Sequence, residues 1–362
     1  MNAILPAWVK FTASLVITVF LTACSTKKGD TLFEKMDNEA IGVTFQNKVE
    51  NRADFNIFNY RNFYNGGGVA VGDINNDGLT DIYFTSNMGS NKLYLNKGNG
   101  GGQPWQFDDI TDKAGVGGKG KWGTGVVMVD INADGRLDIY VCYAGYQKGI
   151  DQRKELYINQ GNGPDGLPTF TEEAKKYGLD ENGYTTHAAF FDYDKDGDLD
   201  CYILNNSFIP VNTLNYEDNR NVRAEDWPVK DFLKGGGDRL MRNDNGVFHD
   251  VSREANIYSS LIGFGLGVTI GDVNGDNWPD IYVSNDFFEK DYLYVNQQDG
   301  TFKEEVEQRM KHLSIASMGA DMGDINNDGY PEIFTTEMLP RDEKRLKTTT
   351  SFENHYLANL KR

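Results

Sequence analysis

Only 3 cysteines, 9 prolines and 4 histidines occur in 362 residues, and basic side chains are outnumbered by acidic ones, 36 to 54. Each shortage excludes something. Cysteines this few, with no CxxC and no Cys/His cluster, make neither a disulfide scaffold nor a zinc site. Cys142 and Cys201 lie in apolar, strand-like runs (Tyr140-Val141-Cys142 and Cys201-Tyr202-Ile203) and read as small buried hydrophobes rather than a disulfide pair. A net charge of −18, with no basic run interleaved with aromatics, argues against nucleic-acid binding. The histidines (His187, His249, His312, His355) accompany no nucleophile motif, which argues against an enzyme. No apolar run is long enough to span a bilayer; the longest, Phe11 to Phe20 after Lys10, has the length of a signal-peptide core. What is present points to a folded chain. Apolar residues make up 39% and aromatics 12%, enough for a large core, and 40 glycines beside so few prolines imply many tight turns.

The apolar run ends in Leu21-Thr22-Ala23-Cys24, which resembles the lipobox of bacterial lipoproteins. That resemblance implies a signal peptide over 1–23, lipidation of Cys24 and a tether over 24–32. The chain would then meet the membrane only through its lipid anchor, at the bacterial cell envelope, on the outer membrane and facing either the periplasm or the surface. Several acyl chains on one residue make a stable anchor where one alone is marginal. The alternative is a secretory signal with an incidental cysteine.

The remainder is repetitive. Five segments align, beginning at Gly66, Gly123, Thr185, Gly265 and Ser317, with loop aspartates Asp73, Asp130, Asp192, Asp272 and Asp324. Each aspartate loop is followed by a short β-type run. In the first four repeats a second run ends in Asn96, Asn159, Asn243 or Asn296, and a Gly-containing turn leads to a run opening on Phe107, Phe170, Phe248 or Phe302. Four short strands joined by tight turns make one antiparallel sheet, and such sheets repeated every 50–60 residues mark β-propeller blades. The predicted fold is therefore all-β, with repeats near 66–116, 123–179, 185–257, 265–313 and 317–362. In the first strand of each repeat, residues two and four before the aspartate are apolar. Those three, five and seven before it are mostly Gly, Ala, Thr or Ser. An innermost strand needs one such small face where blades crowd the axis. His187 and Asp321 interrupt that face, as polar residues beside a water-filled channel.

Each loop reads Asp-x-Asn/Asp-x-Asp-Gly-x-x-Asp. The candidate ligands are Asp73, Asn75, Asp77 and Asp81; Asp130, Asn132, Asp134 and Asp138; Asp192, Asp194, Asp196 and Asp200; Asp272, Asn274, Asp276 and Asp280; Asp324, Asn326, Asp328 and Glu332. Oxygen ligands at positions 1, 3, 5 and 9, with a backbone carbonyl at 7, suit a hard cation, calcium before magnesium, so up to five Ca2+ ions are expected. Glycine at position 6 gives the sharp turn; the fourth loop has Asn277 there, which tolerates positive φ better than most residues. An EF-hand is excluded because position 12 is Phe84, Val141, Ile203, Val283 or Thr335 rather than glutamate. Three or four acids in nine residues repel without a cation, so metal binding is coupled to folding.

These loops resemble those of FG-GAP or VCBS-repeat proteins and of integrin α-subunit propellers, and Phe264-Gly265-Leu266-Gly267 before the Asp272 loop is closest to the FG-GAP pattern. The chain is more similar still to lipoproteins of the cartilage-acidic-protein, ASPIC/UnbV type. The carrying residues are Tyr64-Asn65-Gly66-Gly67-Gly68 before the first repeat, and Met338-Leu339-Pro340 with Lys347-Thr348-Thr349-Thr350-Ser351-Phe352-Glu353-Asn354 after the fifth. The resemblance covers 33–362. Phe33-Glu34-Lys35-Met36 and Ala40-Ile41-Gly42-Val43 match a fourth strand and its tail with no first three strands before them, and the fifth repeat stops after its second strand. The expectation is about four and a half blades of a seven- or eight-bladed ring, the sequence being the N-terminal part of a longer protein.

In such blades the aspartate loops and the Gly turns share one face, and the longer connections lie on the other. The insertion from Asn205 to Gly237 is the longest and offers Tyr216, Arg220, Arg223 and Trp227 as ligand-binding candidates. The functional expectation is a calcium-stabilised, non-enzymatic binding or adhesion module for a protein or glycan ligand. The alternative is a calcium-dependent polysaccharide-active enzyme of lyase type on the same scaffold.

Overall fold

The computed structural model describes residues 32–33, 35–99, 105–145, 151–207, 219–287, 289–314, 316–338 and 344. Four sheets of four antiparallel strands follow one another along the chain. Blade 1 comprises β1 (Val69–Gly72), β2 (Asp81–Phe84), β3 (Lys92–Asn96) and β4 (Phe107–Asp109). Blade 2 has β5 (Gly123–Val129), β6 (Asp138–Tyr143), β7 (Glu155–Asn162) and β8 (Pro168–Glu172). Blade 3 has β9 (Thr185–Phe191), β10 (Asp200–Asn205), β11 (Arg239–Asn243) and β12 (Phe248–Asp250). Blade 4 has β13 (Gly265–Gly271), β14 (Asp280–Asn285), β15 (Tyr292–Asn296) and β16 (Phe302–Glu304). A two-stranded sheet, β17 (Ser317–Gly323) with β18 (Glu332–Glu337), begins a fifth. Within every sheet the strand order is the chain order, and β1, β5, β9, β13 and β17 are neighbours in succession. This is the expected propeller arrangement, with the first strand of each blade innermost. No helix among the described residues is long and apolar enough to cross a membrane. One-turn helices α1 (Thr111–Ala114), α2 (Ala174–Tyr177) and α3 (Val306–Arg309) follow the fourth strands of blades 1, 2 and 4.

The core lies between blades. On β2, β6, β10 and β14 an aromatic residue at the same register, Tyr83, Tyr140, Tyr202 or Tyr282, is fully buried and faces the next blade. There it packs against apolar residues of the next innermost strand, such as Val126, Ala188, Val268 or Met322. Burying a side chain of this size stabilises by roughly 1.5–3 kcal/mol, and its hydroxyl needs a partner in that environment. Tyr83 and Tyr140 donate to the carbonyls of Val116 and Leu179, Tyr202 to Asp238 Oδ2 and Tyr282 to Asp291 Oδ2.

The small face of the innermost strands is required by backbone approach between blades. A methyl group on Gly68 would lie 2.6 Å from the Thr124 carbonyl oxygen, and one on Gly267 would lie 3.0 Å from Gly319 Cα. Cys142 and Cys201 are free, and both are buried in the same cluster between blades 2 and 3.

The segment before β1 departs from the expected strand. No strand is assigned over the described residues 35–43, and Phe33 is exposed. Met36, Ile41 and Val43 instead pack on Tyr94 and Phe107 of blade 1, and Phe107 N–H donates to Ile41 O. Gly42 approaches Phe107 O as Gly178, which ends α2, approaches Phe248 O. The segment therefore occupies the place of a blade's tail turn without forming the strand before it.

Candidate metal centres and the opposite face

Each aspartate loop is folded by its own carboxylates. The position-1 aspartate accepts the N–H of position 5 on one oxygen and that of position 6 on the other: Asp73 from Asp77 and Gly78, Asp130 from Asp134 and Gly135, and Asp192 from Asp196 and Gly197. Asp272 takes Asp276 and Asn277, and Asp324 takes Asp328 and Gly329, all at 2.7–3.1 Å. The position-5 aspartate caps the N–H of position 7 in all five. Position 6 has positive φ throughout, including Asn277 at 67° in the loop without glycine there. Position 4 is also left-handed, with Asn76, Ala133, Lys195 and Asn327 paying the Cβ cost that Gly275 avoids.

Position 9 is different in kind. Asp81, Asp138, Asp200 and Asp280 have no exposed surface, and each spends both oxygens on backbone donors. Oδ2 takes the N–H of position 2 (Ile74, Ile131, Tyr193, Val273), while Oδ1 takes that of an asparagine in the third strand (Asn96, Asn159, Asn243, Asn296). Burial, more than the neighbouring acids, pushes these carboxyls up, to about 6 for Asp81, Asp138 and Asp280 and about 7 for Asp200. A nearby cation would hold all four ionised. In the fifth loop Glu332 takes Ile325 N–H but is only half-buried.

The third loop fits a cation most directly. Asp192, Asp194 and Asp200 each offer an oxygen within 4.8 Å of the others, and Asp194 Oδ1 is buried with no hydrogen-bond partner. A buried carboxylate oxygen left unpaired is costly unless a ligand takes it. In the other loops a donor from this chain leans on an acid: the Asn75 amide on Asp77, the Arg136 guanidinium on Asp134, the Asn274 amide on Asp276 and the Asn326 amide on Glu332. The loops are also tied to one another. Asn159 Nδ2 donates to Ile74 O of the preceding blade and Asn296 Nδ2 to Tyr193 O, while the Lys195 ammonium sits 4.6 Å from the Trp278 ring centre. The asparagines were legible as a repeat feature; their bridging role was not, because it depends on which blade stands beside them.

On the opposite face the insertion in blade 3 is built inward. Trp227 is 7% exposed, packs with Ala224, Leu261 and Ile262, and donates its indole N–H to Val222 O. Arg223 pairs with Glu225 and Arg220 with Glu289, both at 2.6 Å. Trp227 and Arg220 thus tie the insertion to residues outside it, and Arg223 pairs within it; Tyr216 lies outside the described residues, as do 1–23, Cys24, the 24–31 stretch of the tether and the 347–354 motif. Two features of this face were not anticipated. Phe55, Tyr60, Phe63 and Trp122 form a buried aromatic cluster beside the Gly66–Gly68 run. The innermost strands also enclose a cavity of about 380 Å³ at their starting ends.

The FG-GAP-like repeat family model matches residues 73–141 and 272–335, which carry loops 1 and 2 and loops 4 and 5. Cartilage acidic protein 1 of Xenopus tropicalis is 42% identical over 79 residues, 22% of this chain and 11% of that protein. The Mus musculus protein of the same name is 39% identical over 74 residues, 20% of this chain and again 11% of the relative. The matched stretch is thus a small part of those proteins. Among solved structures, the Bacillus licheniformis rhamnogalacturonan lyase PL11 aligns over 74% of this chain and 50% of its own, with 12% identity and a TM-score of 0.30, a likeness too slight to bear on activity.

Proposed function

We propose that this protein is a calcium-stabilised propeller module that binds a protein or glycan on the face opposite its aspartate loops, held at the bacterial envelope by a lipid on Cys24, and that it is not an enzyme. The observation that carries the reading is the third loop, where three carboxylates converge and Asp194 Oδ1 is buried without a partner. Asp192, Asp194, Asp196 and Asp200 would hold the ion there, and the equivalent residues of the other loops would hold theirs. A bound Ca2+ supplies charge compensation to acids that otherwise repel, tying the turn after each innermost strand to the strand that follows. The loops serve as staples rather than as a reaction centre, which leaves binding to the other face.

The test is thermal unfolding with excess Ca2+ and with chelator. Chelation should lower Tm by many degrees, and Asp194→Ala should reduce the number of Ca2+ ions bound by one with a smaller loss of Tm. An unchanged Tm on chelation would remove the calcium assignment. Turnover of an acidic polysaccharide that needs Ca2+ would replace the non-enzymatic reading with the lyase-type one. Labelling by a radiolabelled fatty acid, abolished in Cys24→Ala, checks the anchor.

A further inference from the structure

The cavity at the starting ends of the innermost strands is formed by one layer of the repeat. Gly67, Thr124, Thr186, Leu266 and Met318 all stand six residues before their loop aspartate, and all five line it, so five equivalent positions converge on the axis. One register further on, four strands carry glycine (Gly68, Gly125, Gly267, Gly319), where neighbouring backbones nearly touch. The third strand carries His187 instead. Its imidazole lies over Gly125, whose absent methyl would sit 2.6 Å from Nδ1, and it is half-buried in the wall of the cavity. It makes no hydrogen bond to another described residue. An imidazole placed at a site of close backbone contact, given room by one glycine and left without a partner, is a polar group aimed at something else.

The lining decides what. Apart from His187, no lining residue is titratable, and burial holds that imidazole below its ordinary range, hence neutral near pH 7 with one donor and one acceptor nitrogen. Nothing there compensates an anion or a cation. The hydroxyl hydrogens of Thr124 and Thr186 are already donated to Thr185 O and Gly265 O, leaving their oxygens as acceptors. Asn65 also lines the cavity, while Leu266, Met318, Val69 and Val126 give the apolar part. We propose that this axial cavity binds one uncharged sugar unit, with His187 bonding a hydroxyl pair and the apolar residues covering a C–H face. This rests on the reading of the face opposite the loops as the ligand face. It places the ligand on the axis rather than on the insertion, and it specifies a neutral glycan.

The experiment uses the Ca2+-loaded protein with methyl β-glucopyranoside, methyl β-galactopyranoside and methyl β-xylopyranoside, against sodium glucuronate and galacturonate. The readout is the His187 imidazole resonance, assigned by its loss in His187→Gln. At least one neutral glycoside should shift it saturably and the uronates should not. Affinity, read for both variants by titration calorimetry because His187→Ala has no such resonance, should fall tenfold or more in His187→Ala and in Met318→Trp, which fills the cavity while leaving the imidazole in place. No shift with any glycoside, an equal shift with the uronates, or unchanged affinity in both variants overturns the proposal. Melting with and without chelator, measured on the same preparation, separates the two failures: a chelator response without sugar binding leaves the calcium-stabilised module standing and removes only the axial site.

Discussion

Two sets of buried carboxylates have roles that follow from what surrounds them. Those at position 9 sit beside acids of the loop; Asp238 and Asp291 sit at the other end of the blades, each bonded to a tyrosine hydroxyl and to one backbone N–H. Desolvation pushes Asp238 up to about 7 and Asp291 to about 6, against an ordinary 3.8. A carboxyl raised in the folded state keeps a proton that the unfolded chain releases, so its effect on stability worsens as pH rises from about 4 to about 7 and is fully felt above that. Asp238→Asn keeps the shape and removes the charge. Its Tm should exceed that of the parent at pH 8, by about 1–3 kcal/mol in stability, with the gain shrinking toward pH 4. A gain independent of pH would show that Asp238 is not the titrating group. Neither aspartate was distinguishable in the sequence from an exposed acid before a strand, because the tyrosine that buries it comes from a residue 36 positions away in one case and 9 in the other.

At the level of elements, the blade is closed by side chains reaching backbone rather than by strand pairing alone. Asp138 holds Ile131 N–H at the start of its loop and Asn159 N–H within β7, so one buried carboxylate joins the loop to the third strand. Asp138→Ala should destabilise by about 2–4 kcal/mol, the cost of two buried donors left unpaired, in chelator as well as in Ca2+. Equal stability of variant and parent in chelator would show that the residue acts through metal alone. The spacing of strands, turns and loops was readable because period-two alternation and loop aspartates recur five times, and Gly turns four times, in one register. Among the described residues of the Phe33–Met36 match no strand forms, although Ile41 and Val43 after it pack on blade 1. In the insertion, Trp227 packs on Leu261 and Ile262 and Arg223 pairs with Glu225, contacts that the repeat pattern does not include.

For the whole molecule, the inter-blade seams set stability, and they are unequal. Phe334 occupies on β18 the register that Tyr83, Tyr140, Tyr202 and Tyr282 occupy in the first four blades, yet it is 60% exposed where they are buried. At the other end, Val69 and Val71 are also exposed, while their counterparts Val126 and Met128 pack against blade 1. Amide hydrogens of β17 and β18 should therefore exchange fastest among the strands and those of β6, β10 and β14 slowest; uniform protection would mean that the β18 face is covered. Phe334→Ala should cost well under 1 kcal/mol and Tyr202→Ala about 3–5 kcal/mol, read by denaturant unfolding. The sequence by itself determined the repeat, the all-β class and the chemistry of the loops, because these depend on the order and spacing of neighbouring residues. Only the tertiary structure decided which carboxylates are buried, which asparagines bridge blades and where His187 points. Those properties belong to the seam between two blades, and a seam is made of residues that the chain keeps far apart.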